Sequence, residues 1–280
     1  MKIFTTKAEV FAHAKSWRDE NLKIALVPTM GFLHDGHLSL IRAAKQHSDR
    51  VIVSIFVNPT QFAAGEDFTT YPRNEARDLA MCKTEGTDMV FLPAPGEMYD
   101  ADASVSLAES TLSKTMCGLS RPTHFQGVLT IVNKLFNITQ ADVAVFGMKD
   151  AQQLAVIRRM VRDLDMPIKI IPGLIIREQD GLAMSSRNIY LSPTERQDAL
   201  CLRRALDFAE AAWQRGDRDT NAVLTQMRAQ IAQIASAEID YLVAVDADSL
   251  QPTPQLRANT LIALAVKIGK TRLIDNTVLN

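Results

Sequence analysis

Five short runs rich in apolar and β-branched residues are spaced through the first two thirds of the chain, with helical patterns between them. The runs are "KIALV" (23–27), "VIVSIF" (51–56), "DMVFL" (88–92), "DVAVFG" (142–147) and "IKIIP" (168–172). Nearly continuous apolar character, rather than alternation, predicts strands buried on both faces. The intervening stretches 36–47, 73–86, 127–137 and 151–164 carry helical spacing. Strand–helix alternation of this kind predicts an α/β fold built on a Rossmann-like, doubly wound parallel sheet.

After Asn188 the texture changes. The stretch 191–216 reads as one helix opened by Ser192 and Pro193, with Glu195 placed to complete a capping box. A second helical stretch follows near 220–236, and "IDYLVAVDA", "LIALAVKIG" and "TRLIDN" read as short strands around turns. A smaller α+β domain is therefore expected at the C-terminal end. The boundary falls between 175 and 190, giving domains over 1–180 and 181–280.

Composition narrows the partners. A formal net charge of −1 offers no basic surface for nucleic acid or an anionic membrane. No apolar run approaches the ~20 residues that span a bilayer. The N-terminus turns polar after four residues, unlike a secretory signal. Cys82, Cys117 and Cys201 are scattered and odd in number, which fits reduced thiols in a cytoplasmic protein.

The stretch "VPTMGFLHDGH" places His34 and His37 three apart, after the first of the five runs and at the start of a helix. A metal site, a proton relay and a phosphate cradle are the chemistries to weigh. Zinc needs a third protein ligand and usually a fourth, yet the chain has no HExxH and no cysteine pair; no metal ligand is assigned. The GxGxxG fingerprint is absent. "KIGKT" (267–271) resembles the end of a Walker A loop, but Leu264 stands where its first glycine belongs, and its flanks predict a hairpin turn.

The phosphate reading has more behind it. A helix N-terminus presents free N–H groups and the positive end of its dipole. Gly31 and Gly36 leave room for close backbone approach, and the two imidazoles can donate to phosphate oxygens. Downstream, "MSSR" (184–187) adds two hydroxyls and a guanidinium. Together the two segments look like the bipartite site of the HIGH/KMSKS-type nucleotidylyl transferases.

A closer resemblance rests on "VPTMGFLHDGH", "SIFVNPTQF", "YPR", "RPTHFQGV", "VFGMKDAQQL", "DGLAMSSRN" and "RLIDN". In order and spacing these blocks resemble the pantoate–β-alanine ligase family, densely from Lys23 to Asn188 and loosely beyond. The resemblance implies an enzyme that turns ATP and pantoate into pantoyl adenylate and pyrophosphate. β-Alanine then displaces AMP to give pantothenate.

By that resemblance, Met30, Gly31, Phe32, Leu33, His34, Asp35, Gly36 and His37 bind ATP, with His37 the proton donor. Gln61 and Gln153 hold pantoate, and Gln61 also faces β-alanine; Asn58 helps place the amine and Tyr71 closes the pocket. Gly147, Met148, Lys149 and Asp150 form the nucleotide loop, with Lys149 near the α-phosphate and Asp150 at the ribose. Ile176 and Met184 lie against adenine, and Ser185, Ser186 and Arg187 complete the phosphate grip. Arg121 and His124 lie in a loop near the active site. Mg²⁺ accompanies ATP, and the family suggests a homodimer. Met148 departs from the glutamate usual at its position. Gln152, on a helix, is expected to be solvated.

Two other readings compete. A nucleotidyltransferase building an activated small molecule would keep the nucleotide in its product and has no use for the "NPTQF" and "KDAQQL" blocks. A non-catalytic nucleotide sensor would need the glycines but not His34, His37 and Lys149 together.

Overall fold

The computed structural model describes residues 1–280, which form two compact units. The first comprises Met1–Ser110, Thr123–Met148 and Val156–Leu174; the second comprises Thr111–Pro122, Lys149–Ala155 and Ile175–Asn280.

The first unit carries β1 (Lys2–Phe4), α1 (Lys7–Asp19), β2 (Ile24–Thr29), α2 (Asp35–Lys45), β3 (Arg50–Ile55), α3 (Glu75–Thr84), β4 (Met89–Phe91) and α4 (Pro95–Met98). The single-turn α5 (Cys117–Ser120) groups with the second unit; α6 (His124–Thr139) and β5 (Val143–Gly147) return to the first. Next come α7 (Ala151–Asp163), whose residues to Ala155 group with the second unit, and β6 (Lys169–Gly173) in the first. All six strands are parallel, in the order β1-β4-β3-β2-β5-β6.

That order bears out the doubly wound expectation and locates a crevice. From β2 the chain winds outward through β3 and β4, then returns to β5 on the other side of β2 and continues to β6. Ligands of such sheets bind where the winding reverses, here beyond the carboxyl ends of β2 and β5. Ile24, Ala25, Leu26 and Val27 of β2 are all fully buried, as a central parallel strand requires. Ala25 and Val27 pack with Leu38, Ile41 and Ala44 of α2, and with Val51 and Val53 of β3. The alternate residues Ile24 and Leu26 face the opposite side, where α1 and α6 pack on β2 and on each other. Each such aliphatic side chain contributes about 1.5–3 kcal/mol on burial.

The edge strand β1 and helix α1 add to the elements read from sequence. Thr6 and Glu9 form a reciprocal capping box at the start of α1, and Val10, Ala14 and Trp17 are its buried residues.

The second unit contains α8 (Pro193–Asp198), α9 (Leu200–Gln214), α10 (Thr220–Ile231), β7 (Ala237–Asp246), β8 (Thr260–Ile268) and β9 (Thr271–Leu279). The three strands form an antiparallel sheet in sequence order. Leu202, Leu206 and Ala209 of α9 share its core with Met227, Ile231, Leu264 and Val266. The expected Ser192–Glu195 capping box is present. The stretch 191–216 is two helices rather than one. The Leu202 N–H donates to the Ala199 carbonyl at 3.2 Å, an i→i+3 bond that tightens the chain at the junction. "KIGKT" is a hairpin: Ile268 pairs with Thr271, and Gly269 has a φ of 55°. A first central glycine of that kind suits a two-residue hairpin loop.

Candidate active site

In the first unit, the segment leaving β2 is shaped by α3. The Thr29 hydroxyl donates to the Ser54 carbonyl at 2.8 Å and accepts from the Gly31 N–H at 3.2 Å. Gly31 and Phe32 then take φ values of 81° and 49°. The glycine adopts this without strain, whereas the phenylalanine needs to be held. Asp78, 1% exposed, does the holding: its carboxylate accepts from the Phe32 and Leu33 N–H groups, both at 2.7 Å. Arg77 donates to the Leu33 carbonyl at 2.8 Å, and its guanidinium lies 5.4 Å from the Phe32 ring centre. Hydrogen bonds to a charged group are stronger than neutral ones, so this turn is fixed before any ligand arrives.

The fixed turn delivers His34 to the N-cap of α2 and His37 to its first turn. The His37 Nδ1 accepts from the His34 N–H at 3.2 Å, and the ring centres are 4.0 Å apart. With Nδ1 accepting, the proton of a neutral His37 ring sits on Nε2, the outer nitrogen. Asp35 is exposed, while Gly36 and both histidines are half-buried. Imidazoles set beside a helix N-terminus suit an anion.

A second polar group adjoins through Met30. The Gln61 Nε2 donates to the Met30 sulfur at 3.1 Å, and the Gln61 Oε1 accepts from the Asn58 Nδ2 at 3.2 Å. Asn58 is 1% exposed; its Nδ2 also donates to the Gly127 carbonyl (3.1 Å), and its Oδ1 accepts from the hydroxyls of Thr60 (3.0 Å) and Tyr99 (2.8 Å). Burial raises the Tyr99 phenol above its ordinary pKa, which keeps it protonated as a donor. Both amide hydrogens and the oxygen of Asn58 thus have protein partners, and its visible work is to orient Gln61. The Gln61 carbonyl accepts from His124 Nδ1 at 3.0 Å. Tyr71 is buried, packs 6.0 Å from the Phe62 ring centre, and its carbonyl accepts from Arg73 at 2.8 Å.

Gly127 allows α6 to approach this group. A Cβ there would stand 2.5 Å from the Thr60 carbonyl carbon and 2.6 Å from the Gln61 nitrogen. Gly127→Ala is expected to lower stability by about 1–3 kcal/mol, the usual range for overpacking, and to disturb the Asn58–Gln61 pair and with it the steady-state kinetics. Denaturant melts and steady-state kinetics on the variant check both.

At the end of β5, Gly147 pairs with Gly173 of β6, and the half-buried Met148 follows. One residue on, the chain re-enters the second unit. The Lys149 carbonyl accepts from the Asn276 Nδ2 at 2.9 Å, Asp150 is exposed, and Gln153 is half-buried. Gln152 is not solvated as its helical setting had suggested; it is 4% exposed. Its Oε1 accepts from the Cys117 N–H at 3.0 Å, and its Nε2 donates to the carbonyls of Leu112 (2.8 Å) and Thr115 (2.7 Å). These three bonds tie Gln152 to the backbone of the segment 111–117, which includes Met116 at a φ of 49°.

Further along the second unit, residues 176–184 fold back on themselves. The Met184 N–H donates to the Ile176 carbonyl at 3.0 Å, so the two residues assigned to adenine are neighbours. Ser185 then caps a short 3₁₀ helix (Ser186–Tyr190) by accepting from the Arg187 N–H at 3.3 Å, and Ser186 is buried. Arg121 lies at the end of α5, its N–H donating to the Cys117 carbonyl at 2.9 Å. All three cysteines are free and buried, and burial pushes the thiols of Cys82 and Cys201 up to about 11.

Sequence reasoning overlooked Asp78, Arg77 and Tyr99, and gave no role to Gly127, Asp275 and Asn276 although they lie within the "RPTHFQGV" and "RLIDN" blocks. The available signal was a charged or amide side chain at a position whose spacing called for an apolar one, as at Asp78 between Glu75 and Cys82 on α3.

Fold and site together define a doubly wound α/β protein with an anion-receptive helix start at its switch point. A family model described as Pantoate-beta-alanine ligase matches residues 2–278. The pantothenate synthetase of Thermotoga petrophila is 48% identical over 279 residues, covering 100% of both chains. Among solved structures, that of pantothenate synthetase from Thermus thermophilus superposes with a TM-score of 0.94 at 38% identity, covering 99% of each chain. The pantoate-beta-alanine ligase of Francisella tularensis, in complex with Beta-gamma ATP and beta-alanine, gives 0.83 at 33% identity, with 99% of this chain and 97% of that one covered. The chain belongs to the pantoate-beta-alanine ligase family.

Proposed function

We propose that the chain condenses pantoate with β-alanine in two steps at the expense of ATP. The observation that carries this reading is the turn locked by Asp78, which sets two imidazoles at the start of α2 beside a preoriented glutamine, Gln61. In the first step a pantoate carboxylate oxygen attacks the α-phosphorus of ATP. The bond to the β-phosphate bridging oxygen breaks, and pyrophosphate leaves. In the second step the β-alanine amine attacks the pantoyl carbonyl carbon; AMP leaves and the amine gives up a proton. No covalent enzyme intermediate is needed.

In this scheme Met30 to His37 receive the triphosphate, and the outer nitrogens of His34 and His37 donate to its oxygens as charge builds on the leaving group. Gln61 and Gln153 hold pantoate, since an amide both donates and accepts without adding charge; Tyr71 lines the same pocket. Asn58 positions Gln61. The Lys149 ammonium offsets charge at the α-phosphate and Asp150 meets the ribose, within the loop begun by Gly147 and Met148. Ile176 and Met184 take adenine, and Ser185, Ser186 and Arg187 complete the grip on phosphate. The division expected from sequence, 1–180 for nucleotide and pantoate and 181–280 for the smaller domain with the 184–187 segment at its start, differs from the compact units, in which 111–122, 149–155 and 175–180 group with 181–280.

Mg²⁺ enters with ATP. Mg²⁺ of a nucleotide is held mainly by phosphates and water. No helix is long and apolar enough to cross a membrane, and the proposed setting is the cytoplasm, with the family's homodimer as the assembly.

The scheme predicts that ATP–pyrophosphate exchange requires pantoate and Mg²⁺ but not β-alanine. Exchange of labelled pyrophosphate into ATP measures this directly, and exchange that appears only with β-alanine present would sink the acyl-adenylate step.

A further inference from the structure

Strand β9 carries two adjacent polar residues, Asp275 and Asn276, that are 2% and 3% exposed. Burying a carboxylate and an amide side by side in a strand costs free energy unless each finds a partner. Neighbours on a strand point to opposite faces, and here each reaches a different segment of the second unit. Asp275 accepts from both terminal nitrogens of Arg177, at 2.6 and 3.0 Å. Arg177 also donates to the Gly181 carbonyl at 3.1 Å and pairs with Ala183, so it fixes the fold-back that sets Met184 beside Ile176. Asn276 turns the other way and donates to the Lys149 carbonyl at 2.9 Å; its own N–H donates to Asp275 Oδ1 at 2.8 Å. The strand is paired with β8 at every position from Thr271 to Leu279, so the anchor is stiff.

We propose that Asn276 is a positioning residue for adenylation: it holds the main chain of Lys149 so that the ammonium meets the α-phosphate. Asp275 does the same for the 176–187 fold-back through Arg177. This rests on the reading that Lys149 and the 184–187 segment bind ATP. A residue that acts only through Lys149 has nothing left to contribute once that side chain is gone, and a double-mutant cycle reads this out.

The experiment measures pantoate-dependent ATP–pyrophosphate exchange in the full chain and in Asn276→Ala, Asn276→Leu, Lys149→Ala and the Asn276→Ala/Lys149→Ala double variant, with melting temperatures for each. Both Asn276 variants are expected to lose about 10-fold in kcat/KM for ATP, with the KM for pantoate within about 2-fold of the parent. The double variant is expected to be no slower than Lys149→Ala alone. Losses that multiply in the double variant, parental rates in both Asn276 variants, or a fall for ATP and pantoate alike that tracks a lowered melting temperature would overturn the proposal. Failure of the functional reading looks different, because the unsubstituted chain would then show no pantoate-dependent exchange.

Discussion

Replacing His37 by Asn is expected to slow adenylate formation by at least ~10²-fold, the scale of losing one charge-stabilising donor, while leaving the fold intact. The reason lies in which nitrogen each substitution keeps. The His37 Nδ1 accepts from the His34 N–H, and an asparagine oxygen occupies much the same place. The outer nitrogen, Nε2, has no counterpart in asparagine. Glutamine reaches farther and places an amide nitrogen near Nε2, so His37→Gln is expected to recover part of the rate. Rapid-quench measurement of the first turnover separates this step from amide formation. Equal losses in the two variants, or none in Asn, would mean that the outer nitrogen does not meet the triphosphate. Stoichiometric zinc in the purified protein, lost together with activity on chelation in excess Mg²⁺, would defeat the phosphate assignment altogether.

Lys149→Ala is expected to cost at least ~10²-fold in kcat/KM for ATP, whereas Met148→Glu, one residue earlier, is expected to change it by less than ~10-fold, about 1.4 kcal/mol of transition-state stabilisation. A thioether is a weak acceptor and cannot stand in for a carboxylate, so a chain that works with Met148 does not use that side chain as an acid or a metal ligand. Lys149, by contrast, has its carbonyl fixed by Asn276, which suits a side chain whose origin matters. Assaying both variants side by side, with circular dichroism as the fold control, decides between them. Comparable losses in the two, or a gain above ~100-fold from the glutamate, would reverse the assignment of atoms in this loop.

The parallel sheet was legible because its central strands are short, apolar and punctuated by loops; β2, β3, β5 and β6 fall within two residues of their expected limits. Strand β1 was not, because three residues with two exposed carry no periodic signal. Helix α1 hides a narrow stripe of Val10, Ala14 and Trp17 among charged residues. The split between α8 and α9 depends on one i→i+3 bond, which hydrophobic spacing does not register. At the site, the linear segment from Met30 to His37 reads as a phosphate cradle because strand, glycines and histidines are contiguous in sequence. The residues that fix this segment and the others assigned to the site are remote in sequence. Asp78 acts across 45 residues, Gly127 faces Thr60, and Gln152 and Asn276 are amides whose partners are main-chain carbonyls and N–H groups. A single chain of letters names a donor but not the carbonyl it will find.

The two compact units are interleaved along the chain, and this has a consequence for a nascent polypeptide. When residue 174 leaves the ribosome, every part of the first unit has been made. Residues 111–122 and 149–155, synthesised earlier, still lack most of their own unit. The Cys117 sulfur waits for Tyr241 and Arg272, and the Lys149 carbonyl waits for Asn276, a delay of more than a hundred residues of translation in each case. The Rossmann-like sheet is therefore free to assemble during synthesis, while the segments that carry Lys149 and Gln153 reach their final setting only near the last residues of the chain.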